Sequence, residues 1–176
     1  MELLVLLQTW EKAVVGVAAV IFIFYILILI FALTSCKRFN KLLKSYETSI
    51  KMATVETVTL IRELASIIDH KLDEETIDRL DEIEALAGQD IVIGNYKETH
   101  SIYLNLYNFA KTQNLSEEIL EKVETNLELE KEIDKLYQQA LFYHNSDLAG
   151  YNYWVRFLLT RPFTKLCKYN VKENIF

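Results

Sequence analysis

The sequence predicts an all-α protein with one N-terminal transmembrane helix, an antiparallel bundle of three long helices and a short C-terminal helix. Three observations support this. A run of 24 residues, 13–36, carries no formal charge. Beyond it, apolar residues recur at steps of three and four, the spacing of an amphipathic helix. The 176 residues include one proline and four glycines, too few for the many turns of a β-sandwich or for a glycine-rich nucleotide loop.

The uncharged run is long enough to cross a bilayer. A helix rises ~1.5 Å per residue, so the run covers ~36 Å against a hydrocarbon core of ~30 Å. We divide the chain into an N-terminal flank (1–12), a transmembrane helix (13–36) and a helical domain (37–176), with the lipid bilayer as a partner. Four cations follow the run: Lys37, Arg38, Lys41 and Lys44. Basic flanks stay in the cytoplasm. We therefore expect a single-pass protein of the cell membrane, with its N-terminus outside and its C-terminal domain cytoplasmic.

A cleaved leader is the alternative interpretation of the same run. Residues 33–36, Leu-Thr-Ser-Cys, resemble a bacterial lipobox, in which the cysteine receives a lipid. Cleavage before Cys36 would give an externally facing lipoprotein that lacks residues 1–35. The apolar run exceeds the usual 7–15 residues of a signal sequence, and no cationic cluster precedes it, so the uncleaved span is favoured.

The extramembrane part predicts three long helices, 37–72, 73–113 and 115–159. Asp73 is a suitable N-cap for the second helix. The segment 88–95 (GQDIVIGN) interrupts the pattern, and we interpret it as a kink, because a full reversal would leave rods of unequal length. Pro162 ends the third helix, and the apolar tail after it forms the short last helix.

Motifs for catalysis or cofactor binding are absent from the sequence. No HExxH or CxxC occurs, and the three histidines, His70, His100 and His144, lie far apart along the chain. We expect no enzyme activity, no metal and no cofactor. The net charge of −6 argues against a nucleic-acid partner.

Tyrosine and asparagine are concentrated near the C-terminus, at Tyr143, Asn145, Tyr151 and Asn152. Asparagine is a mediocre helix former, and a buried amide needs partners. The first interpretation is a polar layer that fixes the order of the bundle. The second is a binding surface for a protein partner, because exposed Trp and Arg are favoured anchors. That surface would include Trp154, Arg156 and Arg161, and homo-oligomerisation stays open.

Several of these motifs resemble the LemA family. Residues 39–42 (Phe-Asn-Lys-Leu), with Asn40, match the family's Tyr-Asn-x-Leu step after the anchor. The pair at 144–145 and the pair at 151–152, seven residues on, match its two Tyr-Asn pairs. The chain lacks the family's Trp, Arg pair and Pro, and Arg62 stands at the Pro position. The resemblance implies a helical bundle of the bacterial envelope, of unassigned activity. Some members of the family occur beside membrane proteases, which suggests an adaptor or stress role.

Together these features predict a membrane-anchored scaffold or interaction protein of the bacterial envelope. The lipoprotein with its lipid on Cys36 is the alternative. A membrane-active oligomer is a third interpretation, which the absence of GxxxG and of intramembrane charge disfavours.

Overall fold

The computed structural model describes residues 2–87, 95–157 and 159–173. All the regular structure in these residues is helical, which confirms the all-α prediction. Five helices follow in order: α1 (Glu2–Ile67), α2 (Glu74–Ala87), α3 (Asn95–Thr112), α4 (Glu117–Arg156) and α5 (Arg161–Leu166). The predicted kink at 88–95 falls on residues 88–94, which lie outside the described residues.

The N-terminal part of α1 confirms the predicted apolar helix. Among the described residues, α1 is the one helix long and apolar enough to cross a membrane, and none of its most apolar window is buried. Residues 10–24 are exposed on every side. A signal sequence near an N-terminus has the same properties.

The chain forms two compact units. We call the first the terminal unit, which comprises Met1–Lys41 and Leu148–Lys172. The second, the central unit, comprises Leu42–Asp147 and Glu173–Phe176.

The core of the central unit is built from four helices. Buried apolar side chains of α1, α2, α3 and α4 form one cluster, which includes Ile61, Leu64, Ile83, Tyr103 and Val123. Contacts between α1 and α4 run in opposite order along the two helices. Near one end the Tyr46 and Tyr143 rings stack 6.1 Å apart, and near the other Asn126 Nδ2 donates to the Leu60 carbonyl at 3.4 Å.

Helix α1 ends at Ile67 and not at residue 72 as predicted. Asp69 has a left-handed backbone (φ 51°), and the His70 amide donates to the Ala65 carbonyl at 2.9 Å. This is the hydrogen bond of a Schellman-type helix end, with aspartate in the place that glycine usually takes. The predicted N-cap of α2 is confirmed, because Asp73 Oδ1 accepts from the Thr76 amide at 2.7 Å.

Arginine side chains fasten α2 to its neighbours at the surface. Arg62 of α1 pairs with Asp81 and Glu84 of α2 at 2.5 and 3.0 Å. Arg79 of α2 makes a bidentate pair with Glu98 of α3, both contacts at 2.7 Å. Arg62, which departs from the LemA pattern, therefore has a structural partner in this chain.

In the terminal unit, α4 ends at Arg156 instead of residue 159. The last carbonyls of a helix have no amide donor within the helix. Here two buried hydroxyls donate hydrogen bonds to such carbonyls instead. Thr160 Oγ1 donates to the Trp154 carbonyl at 2.9 Å, and Thr164 Oγ1 donates to the Val155 carbonyl at 3.3 Å. Pro162 lies at the start of α5, where its missing N–H costs nothing.

Candidate functional site

A polar layer lies inside the central unit. His100 of α3 places Nδ1 2.5 Å from Oε1 of Glu130 on α4, and the Glu130 side chain is only 3% exposed. Burial raises the pKa of Glu130 above its ordinary value, while His100 opposes part of that rise. Removing the partner of such a carboxyl is costly, because it leaves a charged group buried without compensation.

Tyrosines extend this layer on both sides of the pair. Tyr103 donates its hydroxyl to Asn126 Oδ1 at 2.8 Å, and Tyr96 donates to Asp134 Oδ1 at 3.2 Å. The Tyr96 ring also stacks on Tyr137, with centroids 3.7 Å apart. Burial raises the pKa values of Tyr96 and Tyr103, so both hydroxyls stay protonated as donors. The layer joins α3 to α4 and selects one register between them.

The first predicted Tyr-Asn group lies in the central unit, at the edge of this layer. Tyr143 is 52% exposed and stacks on Tyr46, whose hydroxyl donates to Asp147 at 3.2 Å. Asn145 is half-buried. Between them, His144 is buried, with Nε2 3.7 Å from Glu47 Oε1.

A groove runs along α1 and α4 on the surface of the central unit. Three consecutive hollows of about 340, 400 and 410 Å³ share lining residues, so they form one continuous feature. Its floor includes Ala53, Leu60 and Ile133. Four large side chains stand exposed in it: Met52, Leu129, Leu136 and Tyr143. We call this feature the α1–α4 groove.

The rim of the α1–α4 groove is acidic. Five exposed glutamates line it: Glu56, Glu63, Glu118, Glu121 and Glu132. Lys122 is the cation among the lining residues, and it pairs with Glu118 at 2.8 Å. An apolar floor with an anionic rim complements an amphipathic segment with basic flanks.

The second predicted Tyr-Asn group lies in the terminal unit. Tyr151 is buried and contacts the Tyr169 ring edge-on at 6.4 Å. Asn152 pairs with the backbone of Lys172 through both of its amide atoms. Nδ2 donates to the Lys172 carbonyl at 2.8 Å, and the Lys172 amide donates to Oδ1 at 3.0 Å. The Asn152 side chain therefore holds the C-terminal tail beside α4.

The remaining predicted residues of the terminal unit differ in exposure. Asn40 and Trp154 are half-buried, and the Trp154 ring contacts Phe31 at 5.4 Å. Arg156 and Arg161 are exposed. Cys36, a residue of α1, is fully buried. Next to Asn40, the Phe39 ring lies against Gly150, where an added Cβ would meet it at 2.9 Å.

Arg156 and Arg161 share a cleft of about 410 Å³, which we call the basic cleft. Lys165 and Tyr169 line it as well, together with Val155, Asn170 and Val171. Lys168 has a left-handed backbone (φ 60°), and the Tyr169 amide donates to the Thr164 carbonyl at 2.9 Å. This turn ends α5 and brings residues 169–171 back to close the cleft.

Sequence reasoning missed the polar layer, although a signal for it exists. The buried positions of α4 follow one another at steps of three, four and seven residues and include polar side chains; from 123 to 144 they are Val123, Asn126, Glu130, Tyr137, Ala140 and His144. A stripe drawn through apolar residues alone omits Asn126 and Glu130. Among the side chains described, no group of three or more His, Cys, Asp or Glu is arranged to hold a metal ion.

The protein is therefore helical, with an exposed apolar N-terminal helix, an acidic-rimmed groove and a basic cleft. Comparisons with family models, with curated proteins and with solved structures gave no match.

Proposed function

We propose that this chain is a membrane-anchored helical interaction protein, and that the α1–α4 groove is its docking surface. The observation that carries the proposal is the row of exposed Met52, Leu129, Leu136 and Tyr143 side chains over an apolar floor. Large exposed apolar patches with a polar rim are typical of protein-binding sites.

The occupant we propose is an amphipathic helix of a protein partner with basic flanks. Residues 118–143 of α4 line the groove, and at ~1.5 Å per residue they extend over ~38 Å. A helix of about seven turns fits this length, with its apolar stripe on the floor. Its Lys or Arg residues would face the glutamate rim. A second copy of this chain is the competing occupant.

The membrane assignment follows from the exposed apolar part of α1 and the basic residues after it. In this proposal residues 13–36 span the cell membrane once, and the helical domain lies on the cytoplasmic side, with the part that contacts Tyr25 reaching into the bilayer. Burial of Cys36 in the terminal unit supports the uncleaved span over the lipoprotein, in which this cysteine would be an accessible N-terminal residue. A membrane-active oligomer is the third candidate, without an observation in its favour.

The LemA-like arrangement belongs to the same proposal. We infer that α2 and α3 act as one kinked rod between α1 and α4, giving three antiparallel rods. The opposite order of the α1–α4 contacts and the shared core cluster support this. No enzyme activity, cofactor or nucleic-acid partner is part of the proposal.

The orientation is tested with a reporter fused after residue 176 that is active on one side of the membrane only. We expect a cytoplasmic signal, because the cations after the span hold that end inside. An external signal would instead support the lipoprotein, with partners sought in the envelope. Replacing Cys36 by Ser separates the two further, since it abolishes acyl labelling and cleavage of a lipoprotein and leaves the length of a spanning chain unchanged.

Docking in the groove is tested with a photo-crosslinking amino acid at position 136 in cells. We expect a discrete adduct there, and none from the same amino acid at Asn108, an exposed position of α3 outside the groove. Adding Met52→Glu should abolish the adduct, because a charge in the groove disfavours binding of the apolar stripe of the partner helix. A synthetic Leu-striped helix with Lys flanks should compete with it in membranes. An adduct of twice the chain's mass would instead identify a second copy, and no adduct at position 136 would refute the docking surface.

A further inference from the structure

Helix α5, which carries Arg161 and Lys165 of the basic cleft, contacts the apolar part of α1. Tyr25 donates its hydroxyl to the Leu159 carbonyl at 3.1 Å, and its ring contacts Phe163 at 6.3 Å. Between residues 25 and 36, six positions on one face of α1 are wholly or partly covered: Tyr25, Leu29, Ala32, Leu33, Ser35 and Cys36. Over residues 10–24 the helix is exposed on every side. Side chains and backbone from residues 154, 159 and 163 therefore cover one face of α1 between Tyr25 and Lys37.

Polar backbone at membrane depth is tolerated only where its groups are satisfied. The described residues of the turn between α4 and α5 have such hydrogen-bond partners. The Leu159 carbonyl accepts from Tyr25, and the Thr160 and Thr164 hydroxyls bond to the terminal carbonyls of α4. The turn after Lys168 and the Asn152 pair close the other end. At ~1.5 Å per residue, Tyr25 lies ~18 Å along α1 from Lys37, so this part of the chain reaches from the headgroup layer into the inner leaflet, with its backbone groups paired at these points.

The side chains of this segment are those of an interfacial element. Several large apolar groups are exposed: Tyr153, Leu159, Phe163, Leu166 and Val171. Residues 148–172 contain no aspartate or glutamate. Among the described residues, no carboxylate forms an ion pair with Arg156, Arg161 or Lys165. Three cations thus line one cleft, and no acidic side chain is among its described lining residues.

We propose that the basic cleft binds the phosphate of an anionic phospholipid headgroup, with Arg156, Arg161 and Lys165 as its ligands. The exposed apolar groups would lie among the upper acyl chains. The guanidinium groups offer paired N–H donors that match phosphate oxygens, and the lysine adds a point charge. This inference rests on the proposed membrane anchorage, because the lipid reaches the cleft only if α1 lies in the bilayer.

The test uses the full chain in nanodiscs of phosphatidylcholine, with and without phosphatidylglycerol. Electron paramagnetic resonance measures how much spin-labelled phosphatidylglycerol is immobilised relative to phosphatidylcholine. We expect a preference for the anionic lipid. The variant Arg156→Gln/Arg161→Gln/Lys165→Gln should lower this preference by about fivefold for each cation that contacts the headgroup.

The matched control is Lys97→Gln/Lys131→Gln/Lys135→Gln, which removes three exposed cations from the central unit. It should keep the preference. Equal loss in both variants would reduce the effect to net charge and overturn the proposal. So would saturable binding of inorganic phosphate in pure phosphatidylcholine discs without any lipid preference, because the cleft would then serve free phosphate. Circular dichroism checks that both variants keep their helix content.

Anchorage is measured separately, by alkaline carbonate extraction from pure phosphatidylcholine vesicles. A chain that is extracted refutes the proposed membrane anchorage and the headgroup site with it. A chain that stays in the vesicles but shows no preference for phosphatidylglycerol refutes the headgroup site alone.

Discussion

Replacing His100 by Phe is expected to destabilise the central unit by about 3 kcal/mol at neutral pH, because it leaves Glu130 buried without its partner. Phe keeps a ring in the place where His100 stacks on Tyr96 at 5.8 Å. It removes Nδ1, which lies 2.5 Å from the carboxyl. The loss therefore measures the polar contact rather than the packing. Thermal unfolding in detergent, followed by circular dichroism, gives the midpoint shift.

The loss should depend on pH in a defined direction. Burial raises the pKa of Glu130, so the folded chain holds this proton more tightly than the unfolded chain. Stability from this group is then greatest at low pH and falls as the pH rises from the unfolded pKa through the folded pKa. His100 lowers the pKa of Glu130, so His100→Phe should widen the gap between its unfolded and folded pKa values. The variant should be nearly as stable as the native chain at pH 4.5 and clearly weaker at pH 8.

The control for this prediction is Glu130→Gln, alone and combined with His100→Phe. Gln keeps an acceptor oxygen for His100 and carries no charge, so the single variant should lose little at neutral pH. In the double variant, the loss of stability caused by His100→Phe should no longer depend on pH. An equal loss for His100→Phe at both pH values would mean that packing, and not the buried carboxyl, decides the effect.

Replacing Asn152 by Leu is expected to release the C-terminal tail. Both amide hydrogen bonds to Lys172 would be lost, which costs about 2 kcal/mol and corresponds to about 30-fold faster local opening. Hydrogen exchange of the peptide covering residues 167–172 measures this opening. The same exchange in the central unit should be unchanged, since the bond lies within the terminal unit.

The matched control is Asn108→Leu, the same chemical change at an exposed position of α3. It should leave the exchange of the tail as it is in the native chain. An unchanged exchange rate, thermal melt and elution volume for Asn152→Leu would contradict a structural role of this side chain. Because the tail closes the basic cleft, Asn152→Leu should also weaken the preference for anionic lipid.

Local signals predicted the parts of the fold that depend on neighbouring residues. The uncharged run predicted the exposed apolar part of α1, and Asp73 predicted the start of α2, because capping involves atoms three residues apart. Pro162 predicted the break before α5. The early end of α1 was missed, because aspartate at position 69 is a weak signal for a left-handed residue.

Parts of the candidate sites depend on distant residues and were beyond prediction. Asn152 was singled out as an amide that needs a partner, but the partner lies 20 residues away in the backbone of the tail. Glu130 and His100 lie 30 residues apart on different helices. Tyr25 lies in the uncharged run, and its hydroxyl partner at Leu159 follows 134 residues later.

The sequence by itself determined that this is a helical chain with an apolar N-terminal helix and segregated charges, because helix periodicity, capping and hydropathy are local properties. Tertiary structure alone decided which polar residues of α4 are buried, that three cations line one cleft, and that α1 and α4 form an acidic-rimmed groove. Those features depend on the register and contacts between helices far apart in the chain. Burial energies set that register through many residues at once, and no single motif encodes it.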